Sequence, residues 1–349
     1  ADLPAEALHR DHDAVLLALG LALDRSAGIP GEALSGVHYG LPFLRKHNAG
    51  GYVTVGEKVA IVGGGNTAID VAGVSLRKSR TKDVTVLYRR TRAEMPAIPE
   101  EVDFCLDEGL DLVELVAPIE ILDDGSGHVR GLRCQRMELG EPDASGRRRP
   151  VPVDGSEFEV ACDTVVFATG QVADGALIEG VAVDPDHTGT DEPGLYVCGD
   201  LSTGEGTVAH AIGSGRRAAR MIDDHLTGRK VQRTETWAPL LDEVLRFDRI
   251  RPAAFVPRPA VEPPRLPVEA RLTSEAEVVL DIADGCAEAS RCLSCGTCNG
   301  CDRCWTFCPE PAVRRAADGY VIDMEYCKGC GICFEECPRG VIDLMEERA

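Results

Sequence analysis

The sequence predicts an α/β body followed by a small α+β domain built around cysteine, and three observations carry that expectation. Strand-like apolar runs alternate with helical ones around "KVAIVGGGNTAID", Lys58 to Asp70. A proline-rich stretch, "RPAAFVPRPAVEPPRLPVEARL" at Arg251 to Leu272, then interrupts the pattern and reads as a wrapping linker. Beyond Gly285 the cysteines crowd, and "CNGCDRCWTFCP" at Cys298 to Pro309 places one at every third position, lengthens the last gap by one residue and ends on proline.

Composition narrows the classes of function. A chain of 349 residues, 44% hydrophobic and 27% charged, can bury a sizeable core and suggests two or three domains. A formal net charge of −21, from 37 basic against 58 acidic residues, argues against a nucleic-acid partner, because phosphate binding needs a positive field. With no helix-turn-helix pattern, an iron–sulfur sensor acting on DNA is disfavoured too. The longest apolar run, "AVLLALGLAL" at Ala14 to Leu23, is too short to span a bilayer and reads as a buried strand and turn. No secretory leader precedes it, so fifteen cysteines point to metal or redox chemistry in a reducing compartment, with the cytoplasm expected. The chain opens "ADLPAEAL" without Met, which reads as a C-terminal portion of a longer protein.

The α/β elements follow in order. "DHDAVLLALG" from Asp11 and "DTVVFATGQ" from Asp163 are similar strand-and-turn segments that bracket the glycine stretch. Between them, strand, tight turn and helix lead to a further strand, "DVTVLYRR", which makes a βαβ unit. Gly63, Gly65 and Ala68 form G-x-G-x-x-A before a helix, so the backbone, with Asn66 and Thr67, can approach a pyrophosphate. The next strand ends at Arg89-Arg90, where an NAD-selective site carries an acid; two guanidinium groups suit the 2′-phosphate of NADPH, and a solvated basic edge is the plainer alternative. In "GLYVCGDLSTGEGTVAHAIGSGRRAA", a strand runs into Gly199-Asp200 and a helix begins near Thr207. Asp200 can accept hydrogen bonds from flavin ribityl hydroxyls, and the helix start can stabilise a reduced flavin ring. His210 reads as a packed or hydrogen-bonded histidine, and Cys105, Cys134, Cys162 and Cys198 as buried thiols.

The cysteine-rich end holds an internal repeat. Cys298, Cys301, Cys304, Cys308 and Pro309 recur 29 positions on as Cys327, Cys330, Cys333, Cys337 and Pro338. In this spacing three thiolates wrap one cubane and the fourth, turned by proline, reaches the other. Cys298, Cys301, Cys304 and Cys337 are therefore assigned to one [4Fe-4S] cluster, and Cys327, Cys330, Cys333 and Cys308 to a second. Zinc knuckles, which pair C-x2-C units across a spacer, fit two complete proline-ended runs poorly. Cys286, Cys292 and Cys295 are left unassigned.

Several of these segments together resemble a known family. "DAVLLALG", "IPGE", "GGGNTAIDVA", "LYRR", "EMPA", "FATGQ", "YVCGD" and "AHAIGSGRRAA" are similar to the glutamate synthase small subunit, a relative of the two-dinucleotide-binding flavoprotein reductases. The tail resembles two-cluster bacterial ferredoxins, and "YCKGCGICFEECPRGVIDL" is similar to the ferredoxin-like subunit of 2-oxoacid:ferredoxin oxidoreductases. The clusters come last here, whereas in the small subunit the cluster segment precedes the flavin domain. The resemblance implies a Rossmann-like NAD(P)H domain inserted in a partial FAD domain, plus a bacterial-ferredoxin-like domain. Its implied boundaries are residues 1–45 for the end of the first flavin half, 46–162 for the nucleotide domain, 163–228 for the second flavin half, 229–285 for the linker and 286–349 for the clusters. No G-x-G-x-x-G for FAD precedes residue 60, so the flavin site is expected to be incomplete. Electrons are expected to pass between NADPH, FAD and the two clusters, to or from a partner such as a glutamate synthase large subunit or a 2-oxoacid oxidoreductase. A non-catalytic electron-relay or assembly subunit is the alternative.

Overall fold

A computed structural model describes residues 8, 10–78, 80–143, 146–174, 189–204, 206–228, 245, 247–262, 264–273, 282–317 and 319–345. Parts of the expected linker, 229–244, 246, 263 and 274–281, lie outside the described residues, as do 175–188 of the expected second flavin half. The chain divides into two units, Ala1–Arg229 with Leu266–Ala276, and Lys230–Arg265 with Glu277–Ala349.

The first unit opens with β1 (Val15–Leu17), β2 (Leu23–Asp24), β3 (Val37–Tyr39) and α1 (Gly40–Asn48). The predicted βαβ unit follows as β4 (Lys58–Val62), α2 (Asn66–Leu76) and β5 (Asp83–Tyr88), then α3 (Pro99–Asp107) and β6 (Asp111–Glu114). Next come β7 (Val116–Asp123), β8 (Val129–Pro142), β9 (Arg148–Pro152) and β10 (Phe158–Ala161), before β11 (Thr164–Phe167), β12 (Gln171–Val172), β13 (Leu195–Val197), α4 (Asp200–Thr203) and α5 (Val208–Thr227).

A five-stranded parallel sheet, in the order β3-β11-β4-β5-β6, forms the centre. Its inner strands β11, β4 and β5 read as mostly apolar runs because both their faces are covered, whereas the edge strands β3 and β6 are less buried and more polar. Val59 and Ile61 pack in one core cluster with Phe43 of α1, Ile69 and Val71 of α2 and Val102 of α3. Ala60 and Val62, pointing the other way, pack with Val116, Ile121, Val129 and Leu132 from the antiparallel strands β7 and β8. Ile61 is fully buried, and truncating it to Ala costs about 2–5 kcal/mol.

In the flavin-like half the described residues bury a smaller cluster. β1 pairs in parallel with β13, and Leu17, Leu195 and Val197 form its buried cluster. The run at Ala14–Leu23 is therefore less buried than its composition suggests: Leu16 and Leu19 are exposed. A segment beyond the flavin half returns to this unit as α6 (Val268–Thr273), where Arg271 lies over the Phe104 ring at 4.1 Å and its Nε is 3.6 Å from the buried Glu108 carboxylate. Arg77 holds the same carboxylate through two bonds of 2.9 and 3.1 Å.

The second unit contains α7 (Ile282–Ala289), α8 (Arg303–Thr306), the antiparallel hairpin of β14 (Val313–Ala316) and β15 (Gly319–Ile322), and α9 (Ile332–Glu336). The short helices α8 and α9 are repeat counterparts, each lying inside one of the two cysteine runs.

Candidate functional site

The glycine turn joins β4 to α2. Gly63 has φ 146°, and a Cβ on it would sit 2.3 Å from the Ala168 carbonyl oxygen, so no other residue fits without moving β11's end. Gly65 differs: an added Cβ there meets nothing within 4 Å. Its missing side chain leaves open the approach to α2, which no side chain caps, so the N–H groups of Asn66 and Thr67 remain for an anion, while that of Ala68 is donated to the Gly65 carbonyl at 2.9 Å. The residues present fit a dinucleotide pyrophosphate. Asn66 accepts the Ile98 N–H at 2.9 Å and Gly64 the Ala97 N–H at 3.2 Å, fixing the Glu94–Ala97 segment against the turn. Thr67 packs its methyl beside Gly40, and Ala68 is buried against the sheet.

The structure separates the two arginines. Arg90 is 5% exposed; it pairs with Asp143 at 2.7 Å and donates to the Arg148 carbonyl at 2.7 Å, fastening the β8–β9 hairpin to the end of β5. Arg148 in turn pairs with Glu94, which accepts from the Thr91 hydroxyl and backbone. Arg89 is exposed and makes no hydrogen bond or ion pair among the described residues. Lost hydration, then repulsion from Arg90 and Arg147, holds its guanidinium below its ordinary range. Sequence reasoning missed Asp143, Arg147 and Arg148; the basic run "GRRRP" at Gly146 to Pro150 was the available signal.

In the flavin-like half Gly199 takes φ 67°, with its N–H donated to the buried Ser214 hydroxyl at 3.0 Å. Asp200 Oδ1 accepts the Gly206 N–H at 3.1 Å, which shapes the loop leading to α5. Thr207 caps α5 by accepting the His210 N–H at 3.3 Å, and its hydroxyl lies 2.6 Å from His210 Nδ1. His210 is hydrogen-bonded and exposed. Among the described residues, the Asp200 carboxylate and the start of α5 at Val208 are placed to face a flavin.

One of the two predicted sets lies around a single cavity. Cys298, Cys301, Cys304 and Cys337 line a cavity of about 370 Å³ together with Val313, Tyr320, Ile322 and Pro338. Four thiols around a cavity, rather than converging on a point, fit a cubane better than a single ion. Burial pushes the Cys304 thiol up to about 11, with Cys301, Cys337 and Cys298 adding to the shift. The Val341 N–H donates to Cys337 Sγ at 3.3 Å, the kind of bond that stabilises a cluster's reduced state. In the other set, burial raises Cys333, and Cys327 and Cys330 contribute. Cys308, the predicted fourth, is half-buried. Cys286, Cys292 and Cys295 are exposed, whereas Cys105, Cys134, Cys162 and Cys198 are buried as expected, burial pushing Cys134 and Cys162 up to about 12.

Comparison with known proteins places the fold. Residues 5–215 match the pyridine nucleotide-disulphide oxidoreductase family, and the chain belongs to it. Residues 320–343 match a 4Fe-4S binding domain, so a flavoprotein-type α/β body and an iron–sulfur domain share one chain. The chain is 38% identical over 317 residues to the NADP(+)-dependent formate dehydrogenase subunit beta of Moorella thermoacetica, covering 84% of this chain and 44% of that protein. It is 34% identical over 249 residues to a putative glutamate synthase [NADPH] small chain of Cereibacter sphaeroides, covering 64% of this chain and 59% of that one. It thus spans under two thirds of either relative. The structure of Mycobacterium tuberculosis FprA in complex with NADPH superposes with a TM-score of 0.54 at 18% identity, covering 69% of this chain and 70% of that one, which establishes likeness of fold. No helix among the described residues is long and apolar enough to cross a membrane.

Proposed function

We propose that the chain is an electron-transferring oxidoreductase that links NADPH to two [4Fe-4S] clusters through a flavin, in either direction, and exchanges electrons with a partner subunit. The observation that carries this reading is the cavity lined by Cys298, Cys301, Cys304 and Cys337, in a chain whose uncapped α2 opens at a glycine turn. A flavin exchanges a hydride pair with nicotinamide and single electrons with clusters, which is why a chain that owns both sites needs one.

The chain's own residues bind and orient. Gly63, Gly65, Asn66, Thr67 and Ala68 receive the pyrophosphate at the start of α2. Arg89 contacts the 2′-phosphate, and Arg90, locked to Asp143, positions it; this supports NADPH over NADH. Gly199, Asp200 and Thr207 serve the flavin side. Cys298, Cys301, Cys304 and Cys337 hold one cluster and Cys327, Cys330, Cys333 and Cys308 the other. No acid, base or nucleophile is required for hydride transfer, so the protein's share is orientation and electrostatics. The reduced thiols this demands suit the cytoplasm, and the partner is of the glutamate synthase large-subunit or 2-oxoacid oxidoreductase kind.

The exposed apolar residues of the flavin-like half favour a second reading, a relay or assembly subunit without activity of its own. Anaerobic mixing of the chain with NADPH and added FAD separates them. Bleaching of the clusters' broad visible absorbance, with dye reduction, supports the oxidoreductase; unchanged spectra with NADPH bound would leave the relay.

A further inference from the structure

The two cysteine runs are related by a shift of 29 positions, but what surrounds them is not equivalent. The residue after the second cysteine is Asp302 in one run and Gly331 in the other. Both take the left-handed conformation, at φ 62° and 75°. That conformation is natural for Gly331 and costs a residue with a side chain, though Asp is among the few that tolerate it.

Asp302 is held there by the β14–β15 hairpin. Arg315 and Tyr320 are directly opposed partners across it, so their side chains share a face. Arg315 grips the Asp302 carboxylate through two bonds of 2.8 and 2.6 Å, and lies over the Trp305 ring at 4.3 Å. Tyr320 donates its hydroxyl proton to Asp302 Oδ1 at 2.7 Å and accepts the Asp302 N–H at 2.9 Å, while the same tyrosine lines the cavity of Cys298, Cys301, Cys304 and Cys337. The same shift carries Arg315 to Leu344. Leu344 stands over Gly331, its Cδ1 3.5 Å from where a Cβ would be. A carboxylate–guanidinium contact in one run is thus a glycine–leucine contact in the other.

Charge and hydrogen bonding beside a cluster set its potential. On the two-cluster reading above, we infer that Asp302, Arg315 and Tyr320 are positioning residues that hold a compensated charge beside the cluster of Cys298, Cys301, Cys304 and Cys337, so that this cluster's potential, and not the other's, depends on the Arg315–Asp302 contact. The Arg315 charge neutralises Asp302, which stands between Cys301 and Cys304 in the chain, so the carboxylate does not oppose the added negative charge of the reduced state; the counterparts Gly331 and Leu344 carry no charge to compensate.

The test is a reductive titration of the full chain with its clusters, followed by electron paramagnetic resonance, with Cys298→Ser identifying which step belongs to which cluster. Arg315→Leu leaves Asp302 uncompensated and should lower that cluster's step alone. Asp302→Asn should raise the same step, and a merely structural role would not move the two variants in opposite directions. Asp302→Gly with Arg315→Leu removes both charges and should return that step close to its unsubstituted position. Steps that ignore these substitutions, or that move equally in both clusters, overturn the inference. Should Arg315→Leu fail to retain iron, Arg315→Lys, which keeps the charge, must hold that step near its unsubstituted position; a step lowered there also overturns it. Iron content below two clusters in the unsubstituted chain would instead overturn the two-cluster reading itself.

Discussion

Around the glycine turn, five parallel strands are covered on one face by α1, α2 and α3 and on the other by β7 and β8, and Val59, Ile61, Val86 and Val166 are at most 2% exposed. Around Gly199-Asp200, the described residues give a pair of strands whose buried cluster is Leu17, Leu195 and Val197, while Val208 and Ile212 on α5 are 76% and 66% exposed. The two halves of one unit carry similar strand-and-turn sequences, and their described residues reach different depths of packing. A strand pattern records which residues prefer burial; how far they are buried depends on how many layers arrive to cover them.

The comparison can be broken most severely in the covered half. Gly63→Ala forces a Cβ against the Ala168 carbonyl at a φ that side chains rarely adopt, and should cost about 3 kcal/mol or more by denaturant unfolding, with loss of nucleotide binding. A cost below about 1 kcal/mol would mean the turn relaxes freely. The arginines come next. Arg90→Ala removes its ion pair with Asp143 and its bond to the Arg148 carbonyl and loosens the hairpin, so it should destabilise by about 1–3 kcal/mol and weaken NADPH and NADH together. Arg89→Ala should leave stability within about 0.5 kcal/mol and weaken NADPH roughly tenfold to a hundredfold, with NADH unchanged. Equal losses for both nucleotides in Arg89→Ala would remove it from the 2′-phosphate. In the thinly covered half the smallest effect is expected: Ile212→Ser should change stability by under about 0.5 kcal/mol and reduce self-association in sedimentation. A cost of several kcal/mol would show that Ile212 is buried in solution.

Much of this was legible in the residues. The glycine turn announced itself because strand, tight turn and helix each have local causes, and the helix start near Thr207 because a threonine can cap the helix that follows it. The cavity of Cys298, Cys301, Cys304 and Cys337 was legible because a repeat is a long-range constraint written in spacing. Arg90 was not. Its partner Asp143 is 53 residues away on a hairpin whose docking no local pattern encodes, so a structural arginine looked like a ligand-binding one beside Arg89. Asp302 was missed likewise, since its left-handed backbone depends on Arg315 and Tyr320 arriving from the hairpin, and only comparison with Gly331 gives the contrast meaning.

The account rests most on ligands being exchanged between the two cysteine runs, and iron and sulfide analysis of two paired variants tests that directly. The unsubstituted chain should hold about eight irons with matching sulfide. If Cys298 and Cys337 serve one cluster, Cys298→Ser with Cys337→Ser should keep about four irons, because both substitutions strike the same site, whereas Cys298→Ser with Cys327→Ser should keep almost none. The reverse result, with the first pair empty of iron, would assign Cys337 to its own run and contradict the account, as would zinc without sulfide in the unsubstituted chain.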